Sequence, residues 1–435
     1  MSEPATKSAA PAKKDPNSCV ITISDRVYDL TQWAPNHPGG PPIMIYDGRD
    51  ATNVFQAFHS EGAYKVLERF PSTPAPPRAK KAGSEALKAS NGGQTVCLDA
   101  VSEDFQRFRA ELERDGFFKV SPFWFPTKFF TTVAFLPLAI FLNLNGWVTL
   151  GAVVLGMMWQ QLGWTSHELL HHSVYVNRKY GKYFAWVSGP VLLGFCSHWW
   201  NDRHNSHHAA TNIDGSDPDI DNLPMLAWSV SDVNRATPEQ RKTIKYQHIY
   251  FWFILPLLNL IWNLNSVLFI RDEMINSRYK VYRDEWKAEA FGIALHYIWL
   301  SALLWFTLPS WGAVAWFMFV AKIVAGATLA FVVFFSHYSC PKLDFDSDAG
   351  ENFVAMQLVS TRNLTPGVIT DWLCGGLNYQ VEHHLFPTMP RPNLYRCSLR
   401  LREFCKKHNL PYLCSDFIEG LMQVRSFLKD IADMA

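Results

Sequence analysis

From Phe129 to Ser166 this chain carries no ionised side chain, and a histidine cluster, "HELLHH" at 167 to 172, begins at the next residue. Those 38 residues would rise about 57 Å as one helix, about twice a hydrocarbon core of about 30 Å. One span cannot use that length, so "NLNG" at 143 to 146 is the expected turn of a helical hairpin. Residues 290 to 308 and 313 to 336 make a second hairpin that turns at "LPSWG".

Two more histidine clusters, "HNSHH" at 204 to 208 and "QVEHH" at 380 to 384, lie outside these spans. If the three share a site, the number of crossings between consecutive clusters is even. Counting the apolar run at 249 to 270 as a span would give three crossings between the second and third clusters. That run, with Pro256 and three Asn, is therefore expected to be interfacial or buried in protein, and the run at 184 to 197 is short for a crossing. Four spans result. The loop from 171 to 248 carries Arg178, Lys179, Lys182, Arg203, Arg235, Arg241, Lys242 and Lys245, whereas the two hairpin turns carry no cation, so the clusters are expected to face the cytosol. Lys322, near the middle of the last span, is either functional or a snorkelling lysine.

The first segment, about residues 19 to 70, reads as soluble. The formal charge is +1 and no Lys/Arg-dense run interleaves with aromatics, which speaks against nucleic-acid binding. Eight scattered cysteines without a CxxC pair fit a reducing compartment. Residues 1 to 18 lack the apolar core of a secretory signal, so the N-terminus is expected on the cytosolic side. "VITISDRVYDL" reads as a strand pair turning at Ser24 and Asp25, "PSTPAPPRAKKAGSEALKASNGG" as a linker, and residues 99 to 118 as an amphipathic helix lying on a surface.

"HPGG" at 37 to 40 places His37 on a tight turn, and His59 follows in "GRDATNVFQAFHS" with Phe55 and Phe58 as apolar wall. Two axial imidazoles would leave a haem iron no open position, so such a haem carries electrons. The bland alternative is a surface turn and an unrelated histidine. The stretch from "YDLTQWAPNHPGG" to "FQAFHS" closely resembles the cytochrome b5 family over about residues 19 to 70, which implies His37 and His59 as haem ligands. Pro41 and Pro42 are an unusual pair there, tolerated at a helix start.

His167 and His171 are four residues apart, His204, His207 and His208 repeat helical spacing, and His383 and His384 add a third pair. His337 joins them because it follows the last span on the same side. Neutral imidazole suits iron, zinc and copper, and this many exceed what one ion accepts, so two ions are implied. A structural zinc would close with four ligands. His198, His248, His296 and His408 lack such context and read as packing or surface residues.

Together with "WWNDRHNSHHAATN", "DPDIDNLPMLAWS" and "GGLNYQVEHHLFPTMPR", the ordered clusters resemble the membrane fatty acid desaturases, specifically the front-end class with an N-terminal cytochrome b5 domain. The resemblance covers nearly the whole chain. It implies an α+β cytochrome b5-like domain with its linker at 19 to 88, fused to an all-α integral membrane desaturase domain at 99 to 435. That domain would have about four transmembrane helices and a cytosolic His-rich cap. It maps di-iron ligands onto His167, His171, His204, His207, His208, His337, His383 and His384, with Gln380 in place of a histidine near the metal. His172 lies outside the family spacing and is expected beside the metals, and Glu168, where many relatives have Asp, is expected to orient a ligand imidazole. Asp217, Asp219 and Asp221 are candidates for the same task, with at least one of them expected instead in a solvated acidic loop, and Trp199 and Trp200 either wall an acyl channel or pack simply as aromatics.

The implied chemistry is removal of two hydrogens from unactivated methylenes of a polyunsaturated acyl chain. It would use haem b, two non-haem irons, O2 as cosubstrate, and electrons entering from an NADH-cytochrome b5 reductase. The substrate would be a fatty acyl lipid or acyl-CoA, and the site the endoplasmic reticulum membrane. Several motifs look nearest to delta-8 and delta-6 enzymes, with delta-8 ahead. A delta-5 or sphingolipid long-chain-base enzyme, a lipid hydroxylase, and a non-catalytic membrane-anchored haem electron carrier are the rival readings.

Overall fold

The computed structural model describes residues 17–76, 96–175 and 177–435. The linker and the domain limit at residue 88 fall largely or wholly outside them, as do residues 1–16. In the N-terminal unit, β1 (Val20–Ile23) turns back into β2 (Arg26–Asp29). Ser24 takes the left-handed conformation (φ 55°) that a two-residue turn requires. Ile21 and Ile23 alternate inward to the core. The short helices α1 (Thr52–Phe58) and α2 (Glu61–Leu67) follow, and β3 (Ser72–Pro74) completes an antiparallel sheet in the order β1-β2-β3.

Helix α3 (Leu98–Arg114) is amphipathic as its spacing requires, with Val101, Phe105, Phe108 and Leu112 buried. The surface it covers is protein, not lipid: Phe105 stacks on Phe386 at 5.3 Å and Phe108 on Phe404 at 5.2 Å, both in the C-terminal cap.

Six longer helices form the centre: α4 (Trp124–Leu144), α5 (Val148–Leu170), α6 (Ser197–Ala209), α7 (Gln247–Met274), α8 (Lys280–Thr307) and α9 (Trp311–His337). By length and composition α4, α7, α8 and α9 are apolar enough to cross a membrane. Helix α5 has 23 residues, long enough at about 1.5 Å each, but the amides of Gln160 and Gln161 dilute its hydropathy. Both amides are satisfied inside the protein, by the carbonyls of Leu373 (2.6 Å) and Trp372 (3.0 Å). The two hairpin turns lie together: Asn143 donates to Thr307 (3.1 Å), and Trp316 to Thr149 (3.0 Å). His167 and His337 consequently end α5 and α9 at the opposite pole.

The run expected to be interfacial or buried, 249 to 270, is most of α7, and its composition alone would allow a crossing. Its contacts trace another path. Phe251 meets Phe334, one turn from His337, at 4.9 Å, and Met274 meets the Cys196 thiol that caps α6 at 3.7 Å, so both ends lie at the histidine pole. Between them the Pro256 carbonyl lies where a Cβ on Gly326 would be 2.0 Å away, and Asn259 and Asn263 accept from Lys322. Lys322 is 15 residues, or about 22 Å, below His337. The segment dips into the bundle, breaks at its proline and returns, which keeps the crossing count even.

The cap comprises α10 (Phe353–Ser360), α11 (Gln380–Leu385), α12 (Leu394–Lys407) and α13 (Phe417–Asp433). A short parallel pairing of Asn363–Leu364 with Cys414–Ser415 holds the C-terminal segment across α11.

Candidate functional site

Each histidine cluster is delivered by the end of an element. His167 and His171 close α5, His204, His207 and His208 line one side of α6, His337 ends α9, and His383 and His384 sit on α11. The structure brings all eight together. Ligand atoms of His167, His171, His204, His208 and His383 lie within 4.8 Å of one another, as do those of His207, His337 and His384. The groups adjoin where His208 stacks on His384 at 4.0 Å between centroids.

Their fit to metal ions rests on atoms left over. His204 Nε2 is 3.0 Å from both His167 Nε2 and His208 Nε2, the separation expected of two donors about 2.0–2.1 Å from one ion at a right angle. Both nitrogens of His171 and Nε2 of His383 are buried without a hydrogen-bond partner, a costly state that an ion would relieve by taking one nitrogen of each ring. Burial holds the imidazoles of His204, His208, His383 and His384 well below their ordinary range, so they are neutral, as ligands must be.

In the second group the outer ring nitrogens are tied down. His207 Nδ1 meets the buried carboxylate of Asp217 at 2.8 Å, His337 Nδ1 the Ser360 carbonyl at 3.1 Å, and His384 Nδ1 the Gln357 amide oxygen at 2.9 Å. Each contact fixes the tautomer that turns Nε2 inward. Gln380 reaches the same point, its Nε2 3.1 Å from His337 Nε2 and 3.3 Å from His384 Nε2. Its Oε1 has no partner. The amide can rotate to offer that oxygen instead.

Two sequence expectations are corrected, and a third holds for one of its residues. Glu168 orients no imidazole; it pairs with Arg391, tying the end of α5 to the cap. His172 is absent from both groups, because its φ of 58° turns the chain as α5 ends and sends the ring to the neighbouring cavity. Of the three aspartates, Asp217 alone contacts a ligand candidate, while Asp219 pairs with Arg203 (3.2 Å) and Asp221 with Lys342 (2.8 Å). Trp200 lies 4.1 Å from the His204 ring, whereas Trp199 packs on Trp262 away from it. Gln357 and Ser360, which spacing did not reveal, sit on a helix with no cluster of its own.

That neighbouring cavity, about 470 Å³, belongs to both domains. Its N-terminal wall is mostly apolar (Ile21, Leu30, Val54, Phe55, Phe58, Leu67) and contains His37 and His59. Gly39 approaches so closely that a Cβ would lie 2.8 Å from the His37 ring, and Gly40 has φ 72°, which accounts for the double glycine. The two rings are 5.9 Å apart, close to the roughly 6 Å that two metal–imidazole bonds of about 2 Å would give. His37 Nδ1 is held by the Gly40 carbonyl (3.2 Å) and His59 Nδ1 by that of Phe55 (3.0 Å), leaving both Nε2 atoms free. Burial lowers both imidazoles, His59 to about 4, so they too are neutral donors. The residues fit a bis-imidazole haem. Phe58, beside His59, meets the His208 ring edge-on at 6.2 Å, so one aromatic side chain separates the two centres.

Comparison with known proteins agrees with this pairing of sites. A family model described as fatty acid desaturase matches residues 145–415, and one described as cytochrome b5-like haem/steroid binding domain matches residues 6–73. The chain is 40% identical over 421 residues to a Delta(8)-fatty-acid desaturase of Euglena gracilis, covering 95% of this chain and 96% of that protein. It is 37% identical to a Delta(6)-fatty-acid desaturase of Caenorhabditis elegans over 94% of each chain, and 35% identical to a Delta(5) fatty acid desaturase of the same animal over 92% of each. Eight imidazoles converging beside the cavity of His37 and His59, on a chain matched almost end to end by such relatives, place it in the fatty acid desaturase family, in the front-end branch that carries its own cytochrome b5 domain.

Proposed function

We propose that the two histidine groups hold a pair of irons, that His37 and His59 hold haem b, and that the chain inserts a cis double bond between an existing one and the carboxyl end of a polyunsaturated acyl chain. The observation that carries this reading is the convergence of eight imidazoles from three sequence clusters and one helix end, several with buried nitrogens lacking any partner. Iron at such a site would supply the activation of O2 that removal of hydrogen from a methylene demands. His167, His171, His204, His208 and His383 would hold one ion, and His207, His337 and His384, with Gln380, the other. Asp217, Gln357 and the Ser360 carbonyl orient the second set. Electrons would enter the haem from an NADH-cytochrome b5 reductase and cross the short gap spanned by Phe58. The histidine pole would face the cytosol of an endoplasmic reticulum membrane, a placement supported by the cations of the 171 to 248 loop.

Regiochemistry of the delta-8 or delta-6 type is favoured by the relatives named above. The test is expression in a yeast lacking polyunsaturated lipids, with C18 and C20 acids fed separately and new double bonds located by mass spectrometry. A delta-8 enzyme acts on the C20 acids and a delta-6 enzyme on the C18 acids. Hydroxylated products, or none from either feed, would defeat the proposal. His204→Ala is expected to abolish the product.

A further inference from the structure

The cavity containing His37 and His59 has two chemically different walls. The twenty-one N-terminal residues that line it include no lysine and no arginine. The wall from the desaturase domain adds Arg178, Asn201, Asn205 and His172 beside Leu170, Ala209 and the metal candidate His171. Asn201 and Asn205 are one turn apart on α6 and face the cavity together. The side-chain oxygen of Asn201 and Nδ1 of His172 are buried without a partner, and turning the Asn201 amide over would place its NH2 group, a donor, where that oxygen now lies. Arg178 has five donors, and its recorded hydrogen bond is a long one, 3.5 Å, to the carbonyl of Phe58 beside His59. Haem b is an apolar disc with two carboxylates at one edge, and a carboxylate at a half-enclosed site requires a cation or several donors.

Resting on the haem reading above, we propose that the desaturase domain completes the haem site, with Arg178 as the counter-cation of the haem carboxylates and Asn201 and Asn205 as their amide donors. The haem is then held by both domains, and its binding and their docking reinforce each other. Other contacts already position the domains: Tyr46 donates to the Ala209 carbonyl (2.8 Å), and Arg49 pairs with Asp346 (2.7 Å).

The test uses the full-length, haem-loaded enzyme in detergent and follows transfer of haem to excess apomyoglobin together with the haem midpoint potential. Losing one charge-assisted contact is expected to speed transfer about tenfold in Arg178→Ala. It should also lower the potential, because an uncompensated carboxylate favours the ferric state. Arg178→Lys should restore most of both, and Asn201→Ala/Asn205→Ala should speed transfer with a smaller change in potential. Lys65→Ala, which removes an exposed cation of α2 that does not line the cavity, should change neither. Unchanged transfer and potential in Arg178→Ala would overturn the proposal, and so would equal acceleration by the alanine and lysine variants, which would mean that packing and not charge is at work. A wild-type protein without a bis-imidazole Soret spectrum would instead defeat the haem reading itself.

Discussion

At Asp217 one buried carboxylate does three jobs: it accepts from His207 Nδ1 and from the backbone of Asn212 (2.8 Å) and of Asp219 (2.9 Å). Its removal leaves the His207 ring free to rotate, and outer contacts of this kind typically change metal affinity or activity about 10- to 100-fold. Asp217→Ala is accordingly expected to lose iron on dialysis and most of its activity while retaining full haem content, as measured by metal analysis beside the Soret band. His198, on the same helix, shows a different use of carboxylates. It is buried between Glu285 (3.3 Å) and Glu289 (3.0 Å). Burial works against its proton, but the two carboxylates outweigh it and hold the imidazole up to about 9. Because the folded value lies above the unfolded one of about 6.5, this charge stabilises the fold fully below about pH 6.5, and the contribution is lost as pH rises through about 9. The melting temperature in detergent should fall across that window in the wild type and fall less steeply in His198→Asn. Equal slopes would refute the assignment.

Among the elements, α7 depends on one side chain. Lys322 Nζ donates to Asn259 (2.9 Å) and Asn263 (2.6 Å) and lies 4.3 Å over the Trp159 ring, so it neither snorkels nor pairs with an acid. Replacing one partner strands the others, at about 1–3 kcal/mol for each buried group, whereas replacing all of them with apolar groups approaches neutrality. Lys322→Met should lower the melting temperature, and the triple variant Lys322→Met/Asn259→Leu/Asn263→Leu should recover much of the loss. A triple variant no better than the single one would show that the lysine has another task. This region also marks the limit of what local sequence discloses. The charge-free runs, the two hairpins and the seven clustered imidazoles were legible because hydropathy and close spacing are local properties, whereas His337 entered only through its place after the last span and the family resemblance. The turning point of α7 was constrained only by counting crossings, and Glu168–Arg391, Gln357 and the Ser360 carbonyl were invisible because each partner is set by packing between distant segments. The turn of His172 toward the neighbouring cavity was invisible as well, because it depends on the backbone reversing where α5 ends.

For the whole molecule, the question is what holds the cap on the bundle. The metal candidates come from α5, α6, α9 and α11, so ions at this site would cross-link three central helices to the cap at one point. Without ions, many neutral imidazoles are left packed together with unsatisfied nitrogens, a state the fold tolerates poorly. Ion binding to the folded state alone stabilises it by mass action, by about 4 kcal/mol when free metal is 1,000 times the dissociation constant. The proposed haem ligands are His59, which caps the C-terminal end of α1, and His37 in the loop before that helix, and neither is shared with the metal groups. Prolonged chelation should therefore lower the melting temperature and raise hydrogen exchange in residues 353 to 385, while the Soret band keeps its position and intensity. Iron should restore both stability and activity, and zinc stability alone, because zinc has no redox chemistry. If chelation released haem in step with iron, the two centres would be one cooperative unit coupled through α6, and separate ligand sets would not mean independent binding.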